Sequence, residues 1–352
     1  MINWHESMQQ SFEFYIVDPN TWKDAKLIDD IESCTINRDE SNTTLGSASF
    51  DCGTILDECY IRVYLIAIQN GNTYKIPLGT FLVQTPTVGF DGKRHSVSMD
   101  AYTPLIELKD GVPPLGYSLL KDQEIMSIAY ALCRENMRAP VVESKSTDKL
   151  YSDFVSNVND TWITFIQDLI SNAKFKLSLD ELGRVLFEPV KDTASLQPVW
   201  TYDDDNSSIL YPDIKDKRDL YGVPNVVEVI YSTDSKHLFS RIVNDDPSSP
   251  ISTVNRGREI VYRESKPNIT GEPNQEYIDA YALQLLRNLS CLEHTITYTH
   301  GYCPARIGDC VLLNYKRAGI IDVKAKVISQ SIKCETGCPV EETAVYTTKL
   351  WR

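Results

Sequence analysis

The chain has 352 residues, with 35 lysines and arginines against 49 aspartates and glutamates, so its formal net charge is −14. This length is enough for two or three domains with hydrophobic cores. The acidic balance argues against an outer surface built to bind nucleic acid, because such a surface is basic. No run of about 18 apolar residues occurs, so the sequence predicts no membrane span. The N-terminus lacks the basic and apolar regions of a secretory signal.

The first part of the chain is typical of β-structure. The run Tyr60–Ile68 is rich in β-branched and aromatic residues, which favour strands. Within 77–109, two alternating runs flank Asp91-Gly92, a pair that indicates a hairpin turn. About five or six short strands fall between Leu27 and Tyr102, and a small closed or split barrel is the usual way to cover them.

The middle of the chain, 109–222, changes character. Apolar residues recur at i, i+3, i+4 and i+7 over 122–137 and again over 161–173, and this spacing predicts two amphipathic helices. The run 175–188 predicts a β-hairpin around a central turn. The following stretch, 197–220, is acidic and rich in turn residues, so we expect it to be an exposed linker.

The last part of the chain, 223–352, returns to β-structure. It opens with the β-forming run Val223–Tyr231 and contains one strongly amphipathic helix over 273–289. The segment Arg306-Ile-Gly-Asp309 leads into an apolar strand over 310–315. The sequence therefore predicts a second small barrel that holds a helix in one of its connections.

These elements predict an α+β fold that is mainly β, with two small antiparallel β-barrel domains and an inserted α+β module. We expect the N-terminal segment and the first barrel in 1–108. The α+β module and the acidic linker follow in 109–222. The second barrel, with its inserted helix, occupies 223–352.

The strand Gly79-Thr-Phe-Leu-Val83, its hairpin, and the closing Met99-Asp-Ala-Tyr102 resemble the first barrel of tailed-phage baseplate hub proteins, also called tail-associated or tail-tip hub proteins. The run Pro224-Asn-Val-Val227 is similar to the point where hub chains begin a second barrel. The α+β module of 109–222 resembles the arm that joins the two barrels, which are of the tail-tube type. The resemblance extends from about Leu27 to the C-terminus.

The resemblance implies a structural protein of the virion. Such hubs form a homotrimer whose paired barrels make a pseudo-hexameric ring, which joins the tail tube to the tip and lets DNA pass during ejection. The implied partners are two further copies, a distal tail protein or tail-tube ring, a tape-measure protein, and a tip or spike protein. DNA passes through the channel without stable binding, since like charges repel. The implied location is the tail tip of the virion, after synthesis in the host cytoplasm.

Ring contacts are expected along the barrel strands, where edges of neighbouring barrels would pair. The residues predicted to mark these strands are Tyr60, Val63, Phe81, Val83, Val226, Val229, Val311 and Leu313. For each of them, ordinary barrel core is the alternative.

The sequence offers no catalytic constellation. It has five histidines and lacks a Gly-x-Ser-x-Gly elbow, a His-Glu-x-x-His pair and a phosphate-binding loop. Cys334 and Cys338 lack the further ligands that a zinc site needs. We expect no enzyme activity, cofactor or metal, and we expect reduced, mostly buried cysteines. Two alternatives stay open: a tail-associated cell-wall hydrolase with an unrecognised carboxylate pair, and a β-rich receptor- or carbohydrate-binding module.

Overall fold

The computed structural model describes residues 2–90, 92–93, 95–191, 195–233, 236–265, 267 and 273–351. The chain divides into two compact units. Unit 1 comprises Met1–Ile214 and Thr297–Ala344, and unit 2 comprises Lys215–Ile296 and Val345–Arg352.

The predicted N-terminal strands are present in unit 1. In chain order they are β1 (Gln9–Asp18), β2 (Lys23–Ile28), β3 (Ile31–Asp39), β4 (Gly46–Cys52), β5 (Tyr60–Gln69), β6 (Asn72–Phe90) and β7 (His95–Tyr102). They pair in the order β2-β1-β5-β6-β7-β4-β3, and every pair is antiparallel. Side chains that alternate along these strands form one apolar core, which includes Phe50, Leu65 and Met99.

The predicted α+β module follows, also in unit 1. Its elements are α1 (Ile106–Asp110), β8 (Ser118–Leu119), α2 (Ile125–Asn136), β9 (Phe154–Val155), α3 (Trp162–Ser171), β10 (Phe175–Leu179) and β11 (Val185–Pro189). A capping box between Thr161 and Thr164 starts α3, because each side chain bonds the backbone N–H of the other residue. The apolar faces of α2 and α3 share a second core with the β10–β11 hairpin.

The remaining elements extend both units. They are β12 (Trp200–Asp203), β13 (Leu210–Asp219), β14 (Val226–Ser232), β15 (His237–Val243), α4 (Thr253–Arg256), β16 (Val261–Glu264), α5 (Gln275–Leu289), β17 (Cys291–Gly301), β18 (Cys310–Asn314), β19 (Val323–Lys333) and β20 (Pro339–Lys349). In unit 1, β19 pairs with β3 and with β18, and β18 pairs with β12. The strands β13, β17 and β20 contribute residues to both units.

Unit 2 contains a three-stranded sheet in the order β15-β14-β16. Strand β15 is antiparallel to β14, whereas β16 is parallel to it. The helix α5 packs its buried residues Ile278, Ala282 and Leu286 against Val227 and Val229 of β14. The apolar face that the sequence predicts for this helix is therefore the face that packs against the sheet.

The predicted class, α+β and mainly β, is confirmed, but two details differ. Within the described residues, the strand order is an open path that ends at β2 and β13, so neither predicted barrel closes there. The stretch 197–220, expected to be a linker, holds all of β12 and β13. The predicted division into 1–108, 109–222 and 223–352 stays a prediction, since the two compact units follow other bounds.

Candidate functional site

The residues predicted to mark ring contacts lie in the interior of the chain. Their exposed fraction is 3% at most. They are Tyr60 and Val63 on β5, Phe81 and Val83 on β6, Val226 and Val229 on β14, and Val311 and Leu313 on β18. Each of these strands also has a paired strand on both sides. Their contact role stays a prediction, and within one chain these side chains form core.

Charged side chains instead meet in unit 1 at what we name the Arg38 junction, formed by Arg38, Glu181 and Arg306. Glu181 lies in the turn between β10 and β11. Its carboxylate is 3.9 Å from Arg38 Nη2 and 2.5 Å from Arg306 Nη2. The Glu181 side chain is only 12% exposed, so both guanidinium groups compensate a charge that has lost most of its water. Arg38 also donates to the carbonyl of Leu78 over 2.6 Å. The junction therefore connects the β10–β11 hairpin to β3 and β6.

The same hairpin turn needs a glycine. Gly183 has φ of +74°, and a Cβ there would lie 2.8 Å from Cβ of Thr80 on β6. Next to it, the carbonyl of Leu182 accepts hydrogen bonds from Trp22 Nε1 at 2.8 Å and from Arg62 Nη2 at 3.1 Å. The turn is thus held against the first group of strands by backbone as well as side-chain contacts.

A cavity of about 130 Å³ lies beside the Arg38 junction. Its charged lining residues are Arg38, Asp180, Glu181, Glu188, Arg306 and Asp309. Burial raises the pKa of Asp309, and Glu188 and Glu181 add to this, although the backbone N–H of Arg306 opposes it. Ligand pockets are mostly apolar with few polar groups, so this charged lining suits water better than an organic ligand.

A second charged group in unit 1, the Glu40 junction, consists of Glu40, Lys176 and Lys326. Both ammonium groups contact the carboxylate, at 3.0 Å for Lys176 and 2.6 Å for Lys326. Burial would raise the pKa of Glu40, but the hydrogen bonds from Lys326 and Lys176 outweigh burial and lower it. This junction joins the loop after β3 to β10 and β19.

A fully buried polar network lies deeper in unit 1, and we name it the His300 network. Its ionisable centre is His300 Nε2, which is 3.5 Å from Glu342 Oε2. The Tyr202 hydroxyl lies 3.0 Å from His300 Nε2 and 3.4 Å from Glu342 Oε1. The Tyr298 hydroxyl donates to the same carboxylate oxygen, and Cys303 Sγ lies 3.2 Å from the Tyr202 hydroxyl.

The protonation state of this pair follows from its contacts. Nδ1 of His300 donates to the carbonyl of Gly301 over 2.7 Å, and Nε2 faces the Glu342 carboxylate. Burial opposes the imidazolium, but the hydrogen bonds to Cys303 and Glu342 raise the pKa of His300 to about 10. Burial likewise opposes the carboxylate, yet the hydrogen bond and charge of His300 lower the pKa of Glu342. Near neutral pH the two form a buried ion pair.

The His300 network is connected to the Arg38 junction through Gln330. The Gln330 amide donates to Glu342 over 2.6 Å and to the carbonyl of Ala305 over 2.9 Å, while its oxygen accepts from Arg38 Nη1 at 3.0 Å. A continuous chain of polar contacts thus runs through unit 1 from His300 to Glu181. Fully satisfied buried networks of this kind fix one arrangement of the strands that carry them.

The chemistry available to these groups is limited by access. Cys303, His300 and Glu342 have the types of a nucleophile, a base and an orienting acid. Their exposed fractions are 2%, 0% and 0%, so a substrate cannot reach them. Within the described part of the chain, no cluster of three or more His, Cys, Asp or Glu residues could hold a metal ion. The network is therefore structural.

The nine cysteines are all free thiols. Cys334 lies opposite Cys34 across the β19–β3 pair, and its backbone N–H donates to the Cys34 carbonyl over 2.9 Å. A hydrogen bond to Cys34, together with burial, raises the pKa of Cys334. Cys338 is buried and has a raised pKa as well, so Cys334 and Cys338 are both poorly reactive thiols. Among the residues whose placement is described, no helix is long and apolar enough to cross a membrane.

Comparison with known proteins identifies the fold. No protein-family model matches the sequence, and no curated protein matches it either. Among solved structures, a tail protein from Neisseria meningitidis MC58 matches with a TM-score of 0.62 at 14% identity, covering 96% of both chains. A 43 kDa tail protein of prophage MuSo2 from Shewanella oneidensis also matches with a TM-score of 0.62, at 11% identity, covering 96% of this chain and 98% of that one.

The chain therefore has the fold of these tail proteins, one of which comes from a prophage, and the resemblance stated from the sequence is confirmed at the level of fold. A chain of a Francisella PdpA–VgrG complex also matches, with a TM-score of 0.53 at 11% identity. That match covers 98% of this chain but 53% of the other. The matches to the two tail proteins, in contrast, cover at least 96% of both chains.

Proposed function

We propose that this protein is a structural hub at the baseplate or tail tip of a tailed phage. In this proposal three copies form a pseudo-hexameric ring, which joins the tail tube to the tip and leaves a channel for DNA. The observation that carries it is the fold shared with two tail proteins, one of them from a prophage, over 96% of this chain. Fold similarity alone does not fix a function, so the assembly is what has to be tested.

The ionic and polar contacts inside unit 1 support a rigid structural role in this assembly. The Arg38 junction, the Glu40 junction and the His300 network each join elements that are distant in sequence, as the contact of Arg38 with Gln330 illustrates. Ionic and hydrogen-bonded contacts of this kind resist sliding between strands, because they have one satisfied geometry. A ring that transmits force from tip to tube benefits from such rigidity.

The proposed partners are two further copies of the chain, a distal tail protein or tail-tube ring, a tape-measure protein, and a tip or spike protein. The match to a chain of a PdpA–VgrG complex supports a partner at the tip side. The net charge of −14 supports a channel through which DNA passes without binding, since like charges repel. The protein would be made in the host cytoplasm and reside in the tail of the virion.

The direct test is the mass of the purified chain by light scattering, followed by negative-stain imaging. We expect a particle of three times the 39.9 kDa chain mass that appears as a ring with a central hole. A particle that stays monomeric at high micromolar concentration, both alone and with the neighbouring tail proteins, would contradict the proposal.

Enzymatic and sugar-binding roles predict other results. A cell-wall hydrolase would release soluble fragments from purified peptidoglycan, and a carbohydrate-binding module would bind a glycan array through exposed aromatic side chains. We expect neither result from the intact protein. Release of soluble fragments by the purified protein would contradict the proposal and favour a hydrolase with an unrecognised carboxylate pair.

A further inference from the structure

The three-stranded sheet of unit 2 has two outer strands, β15 and β16, and each has a paired strand on one side only within the described residues. The β15–β14 register runs without a bulge from Val226–Val243 to Ser232–His237. The sequence of β15 is His-Leu-Phe-Ser-Arg-Ile-Val. It contains no proline, and only its arginine is permanently charged at neutral pH. Natural edge strands are usually protected by proline, lysine or bulges, so β15 has the character of a strand that acquires a neighbour.

The backbone groups of β15 that point away from β14 can be identified. Hydrogen bonds at both ends of the hairpin, Thr233 N–H to Lys236 C=O and Asn244 N–H to Asn225 C=O, fix which pairs are hydrogen-bonded. Because such pairs alternate along an antiparallel ladder, the even-numbered residues of β15 bond β14. Phe239 and Arg241 therefore direct their N–H and C=O groups outward. Gln275 confirms this direction, since its amide donates to the Phe239 carbonyl over 2.9 Å and leaves that oxygen one further lone pair.

The same reasoning applies to β16. The N–H of Val226 donates to the carbonyl of Ile260, and the parallel register places Val226 opposite Val261. In a parallel ladder a residue bonds the two residues that flank its opposite. Ile260 and Tyr262 thus bond β14, and Val261 and Arg263 direct their backbone groups outward.

We propose that β15 of one copy pairs with β16 of the next copy in the assembled ring. In a ring whose copies all turn the same sheet face the same way, β16 of the next copy runs against β15, because β15 is antiparallel and β16 is parallel to β14. The contact is then antiparallel, the arrangement that forms the stronger ladder. The outward residues of both strands are odd-numbered, so Phe239 can pair with Arg263 of the next copy and Arg241 with Val261. This inference rests on the ring proposed above and names the strands that close it.

The side chains at this register are compatible. Phe239 is 52% exposed, and the Arg263 side chain is 70% exposed while its Nε contacts Glu228 at 2.6 Å. Both project from the sheet face opposite α5, because the residues paired with Glu228 and Ile230 share that face. An arginine beside an exposed aromatic ring forms a favourable cation–π contact. A head-to-tail contact either closes into a ring or continues as a filament, and three copies would close it here.

The edge at β13 presents the contrasting case. Its exposed residues include Pro212, Lys215, Lys217 and Arg218, and proline together with clustered charge blocks the addition of a strand. Composition therefore favours β15 over β13 as the edge that accepts a strand of a second copy.

The test is a cysteine cross-link between the two edges, Phe239→Cys with Arg263→Cys. Within one chain these positions are separated by β14, where they lie opposite Ile230 and Glu228, two residues apart. Two interstrand spacings sideways and two residues along the strand place their Cα atoms about 12 Å apart, too far for a disulfide. In neighbouring copies the proposed register brings them within bonding distance. After mild oxidation of the assembled double variant we expect covalent dimers and trimers, which a reducing agent converts back to monomers. Each single variant, which controls for the nine native thiols, should remain monomeric on the same gel.

The outcomes separate this inference from the proposed function. A trimer by light scattering that gives no cross-link in the double variant would overturn the strand pairing and leave the hub intact. Monomers without cross-links would overturn both. Cross-linked trimers would support both.

A second variant tests the backbone contact without new thiols. Val261→Pro removes an N–H that points outward, so the β14 contact should survive, whereas Val261→Ala keeps the N–H. We expect Val261→Pro to raise the concentration at which the trimer dissociates about tenfold per lost hydrogen bond, with an unchanged urea midpoint for the monomer. An equal effect of Val261→Ala, or none of either variant, would argue against the pairing.

Discussion

The His300 network and the Glu40 junction both join distant strands of unit 1 through ion pairs, yet they differ in their access to water. His300 and Glu342 are 0% exposed, whereas the side chains of Glu40, Lys176 and Lys326 are 26%, 32% and 28% exposed. In the first case two charges have left water completely, and each depends on the other and on the surrounding hydroxyl and amide groups. In the second, water still solvates part of each charge. The comparison therefore shows that the two groups differ in burial, and it is burial rather than the number of ion pairs that we expect to decide their contribution to stability.

Breaking the buried pair should have the largest effect. Glu342→Gln keeps the shape of the side chain but leaves the His300 imidazolium without its counter-charge. We expect a loss of about 3–5 kcal/mol in the free energy of unfolding, measured by urea denaturation of the native protein. Glu341→Gln, an exposed neighbour on the same strand, is the matched control and should change little. A loss of less than about 1 kcal/mol for Glu342→Gln would show that neutral hydrogen bonds are enough at this site.

The same pair should make stability depend on pH in a defined direction. The pKa of His300 is raised from 6.5 to about 10, so its stabilising contribution is complete below pH 6.5 and is lost as the pH rises toward 10. The pKa of Glu342 is lowered, so its contribution is present above its ordinary value of 4.5 and is lost as the pH falls through the lowered value. We therefore expect the greatest contribution of the pair between pH 4.5 and 6.5.

His300→Gln tests this dependence. The variant lacks the group that titrates, so the difference in free energy of unfolding between it and the native protein should shrink on the alkaline side. One proton corresponds to a slope of about 1.4 kcal/mol per pH unit. Urea midpoints of the variant and of the native protein at several pH values from 6 to about 10 measure this slope. A difference that stays constant over this range would mean that His300 is neutral in the folded protein.

Glu40→Gln should have a smaller effect that depends on salt. Partly solvated ion pairs contribute about 1 kcal/mol or less, and we expect a loss of that size in low salt. In about 1 M salt, where the screening length is ~3 Å, the loss should fall by half or more, while that of Glu342→Gln should persist. The urea midpoints of both variants at two salt concentrations provide the measurement. An equal response to salt would remove the distinction between the two groups.

Local patterns in the sequence predicted the elements of this fold well. Helices expected over 122–137, 161–173 and 273–289 are found within three residues of those bounds, because a helix that packs on one face must repeat its apolar residues every three to four positions. The early hairpin strands follow the period of two for the same reason. The open strand order, in contrast, depends on β19 pairing with β3, and no local pattern specifies a partner so far along the chain.

The charged groups of unit 1 escaped prediction for the same physical reason. Arg38 and Gln330 are 292 positions apart, and each is an ordinary polar residue of a strand when read alone. One signal was present: His294 and His300 fall on the apolar side of an alternating run. Both are buried on β17, His294 beside Asp216 at 3.0 Å and His300 beside Glu342. A histidine in the apolar register of a strand predicts a buried partner, although it cannot identify that partner.

The smallest effect is expected for the exposed pair Lys217–Asp219. Its charges are 4.0 Å apart, and the side chains are 76% and 53% exposed. Water solvates both charges nearly as well in the folded chain as in the unfolded one, so little free energy depends on their contact. Lys217→Ala should therefore have the urea midpoint of the native protein, within experimental error, at any salt concentration. The control Lys217→Arg, which keeps the charge, should give the same midpoint. A clear loss on Lys217→Ala that salt abolishes would show that even exposed pairs stabilise this chain, and burial would then not be what distinguishes the His300 network from the Glu40 junction.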